Sequence, residues 1–180
     1  QADNPIGPYT GAGTIFGATG GVMEAAVRTA YKLVTGKELG DVNYTPVRGL
    51  EGVKKAVVDL NGTKVKIAVI HQMGNVDAVV QEIRKAAAEG KERPYDFIEV
   101  MACKGGCVTG GGQPYGHCDE LREKRAAALY KDDETHEIRC SHQNPLITQI
   151  YDKYFGKPNS EKAHHLLHTH YTPRDLYTNN

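Results

Sequence analysis

The pair Asn61-Gly62 stands between two runs of β-branched residues, in the stretch AVVDLNGTKVKIAVI, and no other feature restricts the fold as much. Asn-Gly takes the positive backbone angles that a two-residue hairpin needs, so the flanking runs pair antiparallel. The second run, Val65 to Ile70, is apolar enough to be buried on both faces, so the sheet needs cover on both sides. Neighbouring segments supply that cover. After Gly20, Val22, Ala26, Ala30 and Leu33 recur at helical spacing, with Gly36 as the stop and the pair Glu24 and Arg28 on the outer face. Residues 75–89 predict a second helix, with Val76, Val79, Val80, Ile83 and Ala87 turned inward. A short apolar strand, YDFIEVMA, follows, and residues 118–130, 143–155 and 160–170 again show helical spacing.

The glycine- and proline-containing residues 1–17 read as an irregular entry, and DVNYTPVRGL as an extended segment ending near Pro46. Strands alternating with helices predict an α/β fold: a mixed, largely parallel twisted sheet flanked by helices, with a helical C-terminal extension. Ligands in open α/β sheets bind beyond the carboxyl ends of the strands. The segment after YDFIEVMA is therefore where a site is expected.

That segment is MACKGGCVTGGGQP, two cysteines four apart among five glycines. The chain holds 180 residues with 22 basic and 22 acidic side chains, so its formal net charge is zero. No basic run interleaves with aromatics, which argues against nucleic acid, and no apolar stretch reaches the ~20 residues of a membrane span. The N-terminus QADNPIGPYT is not a secretory signal and lacks an initiator Met, as a processed chain or an excised piece would. Without a signal the expected location is cytoplasmic, with the periplasm left open for a parent enzyme, and Cys103, Cys107, Cys118 and Cys140 are expected to be reduced.

Several chemistries fit such a loop. A zinc knuckle wants a second cysteine pair or histidines; Cys118 and Cys140 make no such pair, while His164 and His168 in KAHHLLHTHY lie at i and i+4. A phosphate cradle would use the glycine amides, but the P-loop ending is missing. The plain alternative is a tight turn whose thiols pack as small hydrophobes. An iron–sulfur cluster suits thiolates beside bare backbone, whose N–H groups reach the sulfurs. It needs about four thiolates, however, and the loop supplies two.

FIEVMACKGGCVTGGGQP closely resembles a cysteine signature of the iron-only (FeFe) hydrogenases, and GAGTIFGATGGVMEAAVRTA resembles another hallmark of their catalytic domain. VRGLEGVK and SEKAHHLLHTHY are similar to C-terminal stretches of the same family, the latter to a part that is a separate small subunit in some members. The resemblance spans essentially the whole chain. It implies one lobe of a two-lobed domain over residues 1–157, followed by a small-subunit-like helical tail over 158–180.

The cofactor implied is the H-cluster, a 4Fe–4S cubane bridged to a di-iron unit with CO, cyanide and a dithiolate amine. On this resemblance Cys103 and Cys107 ligate the cubane, and Cys107 also bridges to the di-iron unit. Met101 and Phe16 line the di-iron pocket, while Gly105, Gly106, Gly111, Gly112 and Gln113 shape the loop. The family's two other signatures, which carry the remaining cysteines and a lysine, do not occur here, so Cys118 and Cys140 read as incidental. The implied reaction is reversible reduction of protons to dihydrogen, with this fragment inactive alone. The implied partners are the N-terminal lobe and a ferredoxin, cytochrome or NAD(P)H-linked electron carrier. The alternative is a stand-alone iron–sulfur or zinc binding or assembly module. Glu99 reads as a surface or capping carboxylate, and the four tail histidines as interface or surface residues.

Overall fold

A computed structural model describes residues 7 and 9–173. Strand β1 (Val53–Leu60) and strand β2 (Thr63–His71) form the antiparallel hairpin, turning at Asn61 (φ 58°) and Gly62 (φ 93°). Strand β3 (Phe97–Met101) pairs parallel to β2, so the sheet order is β1-β2-β3 and the sheet is mixed. From Ile67 to His71 every residue of β2 is buried, as its unbroken apolar run requires.

Registers and the two-residue alternation of strands define one face of this sheet. Ala56, Ile67 and Phe97 form one row across it, and Lys54, Val69 and Glu99 another. His71 and Met101 make the last row. The face thus changes from apolar to polar towards the carboxyl ends of β2 and β3. Helix α2 (Gly21–Thr35) covers its apolar part, where Met23, Val27, Val47, Val58, Leu60, Ile67 and Val69 form the core. Burying a side chain of this size contributes about 1.5–3 kcal/mol. Helix α3 (Val76–Ala88) follows β2; Val79 is buried and Val76 and Val80 half-buried, but Ile83 and Ala87 are exposed.

Two expectations fail in instructive ways. Residues 11–17 are not irregular: Thr10 caps a short helix α1 (Gly11–Thr14), its hydroxyl accepting from Gly13 N, and a 3₁₀ turn (Ile15–Gly17) follows. Gly11 is required there, because a Cβ would stand 2.1 Å from Asp133 Oδ1. In α2 the buried positions are not Val22, Ala26, Ala30 and Leu33. Leu33 is exposed and the other three half-buried, while Glu24 and Arg28, expected outside, are fully buried.

Helix α4 (Asp119–Thr135) explains the reversal. All five guanidinium hydrogens of Arg28 find acceptors: Glu24 at 2.8 Å, both Asp133 oxygens at 2.9 Å, and the carbonyls of Val42 and Arg139 at 2.8 Å. Glu24 also accepts from Arg48 at 2.7 and 2.9 Å, and Arg139 donates to Asp133 at 2.6 Å. Charges so fully paired tolerate an interior that isolated ones do not.

The described residues divide into two compact units, Pro8–Asn144 and one containing those from Pro145 onward. The second contains α5 (Pro145–Ile150), a π-helical turn (Tyr151–Phe155) and α6 (Glu161–Leu167). Ser160 caps α6 by accepting from Ala163 N.

Candidate functional site

The cysteine loop leaves β3 at Met101, on the polar end of the sheet face. Gly105 (φ 80°) and Gly106 (φ 93°) turn the chain back, and a 3₁₀ turn (Cys107–Thr109) closes the loop. At Gly106 a Cβ would lie 2.8 Å from Gly17 O, 2.8 Å from Thr19 N and 2.9 Å from Met101 Sδ. Bare backbone is therefore needed where the loop passes the segment carrying Phe16. Thr19 N donates to Gly105 O at 2.9 Å, tying the two together.

Behind the loop, His71 is buried, and its Nδ1 accepts from Gly105 N at 3.1 Å. Burial first, then the charges of Lys54, Lys104 and Arg122, holds its pKa below the usual histidine value. Glu99 accepts from Gly20 N at 2.6 Å and Met23 N at 2.7 Å, capping α2 from the neighbouring strand. Its capping role stands, but it is buried rather than on the surface. Burial pushes its carboxyl pKa up, against the two amides and Lys54, which pull it down. Lys54 donates to Gly49 O at 2.7 Å, and burial lowers it to about 8.

Cys103 and Cys107 are free and exposed. Met101, at the end of β3, is half-buried against the loop, and Phe16 is 45% exposed. Met101, Gly105 and Gly106 thus gather with the backbone beside Phe16. Gly111, Gly112 and Gln113 lie instead on an exposed turn, with open space where a Cβ on either glycine would sit. Thr109 Oγ1 donates to Lys104 O at 2.7 Å, and Arg125 donates to Val108 O at 2.9 Å, so α4 braces the loop from outside. An apolar pocket of about 210 Å³ adjoins Gly105, lined in part by Ala18, Leu50, Ala126, Ala127 and Tyr130.

The donor set fits half of a cubane. Two exposed thiols stand on a loop whose glycines keep side chains away, and among the described residues no group of three or more His, Cys, Asp or Glu could hold a metal ion. Cys118 is exposed just before α4, and Cys140 is buried, which raises its thiol pKa. His164, His165, His168 and His170 are exposed, the rings of His164 and His168 stacking at 4.6 Å. Sequence reasoning missed His71 and the ion network. A histidine closing an apolar strand was the available signal for the former.

Comparison with known proteins bears on this arrangement directly. A family model described as "Iron only hydrogenase large subunit, C-terminal domain" matches residues 1–111, and one described as "Iron hydrogenase small subunit" matches residues 119–174. The NADP-reducing hydrogenase subunit HndD of Solidesulfovibrio fructosivorans is 50% identical over 173 residues, 96% of this chain and 28% of that protein. The periplasmic [Fe] hydrogenase large subunit of Nitratidesulfovibrio vulgaris is 52% identical over 114 residues, 63% of this chain and 26% of that protein. The solved [FeFe]-hydrogenase HydA1 of Chlamydomonas reinhardtii shares the fold with a TM-score of 0.66 and 40% identity, over 94% of this chain and 48% of that one. The chain spans less than a third of the length of these two curated relatives. With the cysteine loop at the strand ends and both family models on the same chain, it belongs to the iron-only hydrogenases, as a C-terminal part of their large subunit.

Proposed function

We propose that this chain supplies half of an H-cluster site to an enzyme that reversibly reduces protons to dihydrogen. The observation that carries the reading is the pair of exposed thiols, Cys103 and Cys107, on a loop of positive-φ glycines at the polar end of the sheet. Cys103 would hold the cubane, and Cys107 both the cubane and the di-iron unit. Bound there, the cofactor supplies the electron transfer and the acid–base chemistry at iron. The chain's own residues supply position and exclusion of water. Gly105 and Gly106 let backbone come close, His71 holds the Gly105 amide from behind, and Met101 and Phe16 present apolar surface. Gly111, Gly112 and Gln113 would complete the loop's outer wall.

Two thiolates leave the cubane short of ligands, so the remaining lobe of the same enzyme is the obligate partner and the isolated chain is inactive. The relative that is half identical is an NADP-reducing hydrogenase subunit, which favours a pyridine-nucleotide-linked electron partner over ferredoxin or cytochrome. Among the described residues no helix is long and apolar enough to cross a membrane.

The test is anaerobic reconstitution of this chain alone and in its full-length parent, reading iron content and dihydrogen evolution. The parent should bind cluster iron and evolve gas, and Cys103→Ser or Cys107→Ser should abolish both. Normal gas evolution by the isolated chain would refute the half-site. Stoichiometric zinc bound tightly through both cysteines would point to a stand-alone module instead.

A further inference from the structure

Lys104, Gly105 and Gly106 alone separate the two cysteines, so their amides matter to whatever the thiols hold. Two of these three amides are already committed. Gly106 N donates to Cys103 O at 3.0 Å, within the loop, and Gly105 N donates to His71 Nδ1 at 3.1 Å, outside it. Gly105 lies two residues from either cysteine, so its N–H is the central donor of the loop. Amides that donate to cluster sulfurs favour the reduced cluster and raise its potential. A donor turned to a side chain is withheld from that role.

His71 is fixed to do the withholding. It closes β2 and stands beside Met101 in the parallel register. Its own N donates to Gly52 O at 3.0 Å, and its carbonyl accepts from Asn75 Nδ2 at 2.7 Å, so the residue is held from both sides. Gly52 admits no side chain there, because a Cβ would lie 2.6 Å from Asn75 Nδ2. One residue on, Gln72 takes φ 65° and ψ 127° while its N donates to Met101 O at 2.9 Å. A residue with a Cβ adopts that conformation only where its surroundings impose it.

The ring is also kept in the form that can accept. A protonated imidazole carries hydrogen on Nδ1 and offers Gly105 no lone pair. Burial, then the charges of Lys54, Lys104 and Arg122, disfavours that form against the pull of Asp119. The neutral ring accepts at Nδ1 and therefore bears its hydrogen on Nε2.

We infer that His71 is a positioning residue for the cluster: it draws the Gly105 N–H away from the cubane sulfurs and so keeps the cubane's reduction potential low. The inference rests on the half-site reading. In this role His71 neither ligates iron nor transfers a proton. A lower potential makes the reduced cubane a stronger electron donor, which suits proton reduction. Without an acceptor at 71, the sulfurs held by Cys103 and Cys107 become the acceptors for the freed amide.

Three variants separate the hydrogen bond from packing. His71→Asn puts an oxygen where Nδ1 stands and keeps the acceptor. His71→Leu fills space without one, and His71→Gln carries its oxygen one bond further, at the place of Nε2. Exchange of the Gly105 amide in this chain, without iron, reads the bond itself. It should be slow in the wild type and His71→Asn, and on the order of tenfold faster in the other two. Equal rates in all four would overturn the inference before any cluster is added.

The full-length parent, reconstituted anaerobically with iron and sulfide, is then titrated under electron paramagnetic resonance. The signal missing from Cys107→Ser identifies the cubane. Wild type and His71→Asn should share one midpoint potential, and His71→Leu should lie higher by about tenfold in the reduction equilibrium, which is about 59 mV for one electron. Should His71→Leu not fold, His71→Gln supplies the same comparison. Unchanged or lower potentials at full iron content would overturn the inference and leave the half-site standing. A potential in His71→Asn as high as in His71→Leu would assign the effect to packing and overturn it equally. A wild-type parent that takes up no cluster iron would instead overturn the half-site, and the cluster role of His71 with it.

Discussion

Substituting Gly106 by alanine should damage the cysteine loop selectively, and the size of the effect follows from local geometry. Gly106 has φ 93° and ψ −156°, a region essentially reserved for glycine, where a residue with a Cβ pays about 1–3 kcal/mol in backbone strain. The added methyl would also meet Gly17 O and Thr19 N at 2.8 Å. Neither can retreat freely, since Thr19 N is bonded to Gly105 O at 2.9 Å. Overpacking of this kind costs about 1–3 kcal/mol, so the total is about 2–6 kcal/mol. Gly111→Ala is the matched control: it has no left-handed backbone angle and open space around it, so its change should stay within about 0.5 kcal/mol. Urea unfolding of both variants measures the difference. In the parent enzyme, Gly106→Ala should also lower cluster iron relative to Gly111→Ala. Equal unfolding midpoints for the two variants would refute the claim that the loop needs bare backbone at 106.

Three further outcomes follow from the interior charges. Arg28→Met takes the shared cation from between the buried Glu24 and Asp133, leaving each carboxylate with one partly exposed arginine, Arg48 or Arg139, and should destabilise the chain by about 3–5 kcal/mol in denaturant unfolding, far more than loss of the exposed Lys55–Glu82 pair. Glu99→Ala leaves the amides of Gly20 and Met23 without their acceptor and should cost about 2–4 kcal/mol, with early amide exchange at the start of α2; unchanged exchange there would count against the cap. Lys54 titrates near 8 when folded and near 10.5 when unfolded, so its contribution is complete above 10.5 and is lost as pH falls through 8. Lys54→Met should be the more stable at pH 7, and its advantage should shrink by up to about 3 kcal/mol as pH rises past 10; a constant difference would sink the argument.

Where local chemistry decides, the sequence was readable. Asn61-Gly62 set the hairpin and Gly36 (φ 71°) ended α2, because positive backbone angles belong to few residues. β3 and the cysteine loop were legible for the same reason, an apolar run broken by glycines. The inward face of α2 was not. Periodicity places charges outside, and nothing near Arg28 in sequence announces Asp133, 105 residues away. Helix α1 was hidden similarly: glycines are poor helix formers, and Gly11 earns its place only through close approach to Asp133. At the candidate site the thiols could be named from their motif. The support from His71 depends on strand register, which only folding reveals.

The sheet ends on β3, and among the described residues no strand pairs with its outer side. The opposite boundary strand, β1, shows water the charges of Lys55 and Asp59, which discourage another chain from adding on. β3 reads FIEVM; its sole charge is Glu99, already committed to α2, while Phe97 and Val100 stand about half exposed. Glu99 thus does one task at the expense of another: by capping a helix it leaves the strand before the cysteines without a gatekeeper. Produced alone at high concentration, the chain would be prone to self-association along that border, and solubilising substitutions belong at Val100 rather than at Glu99.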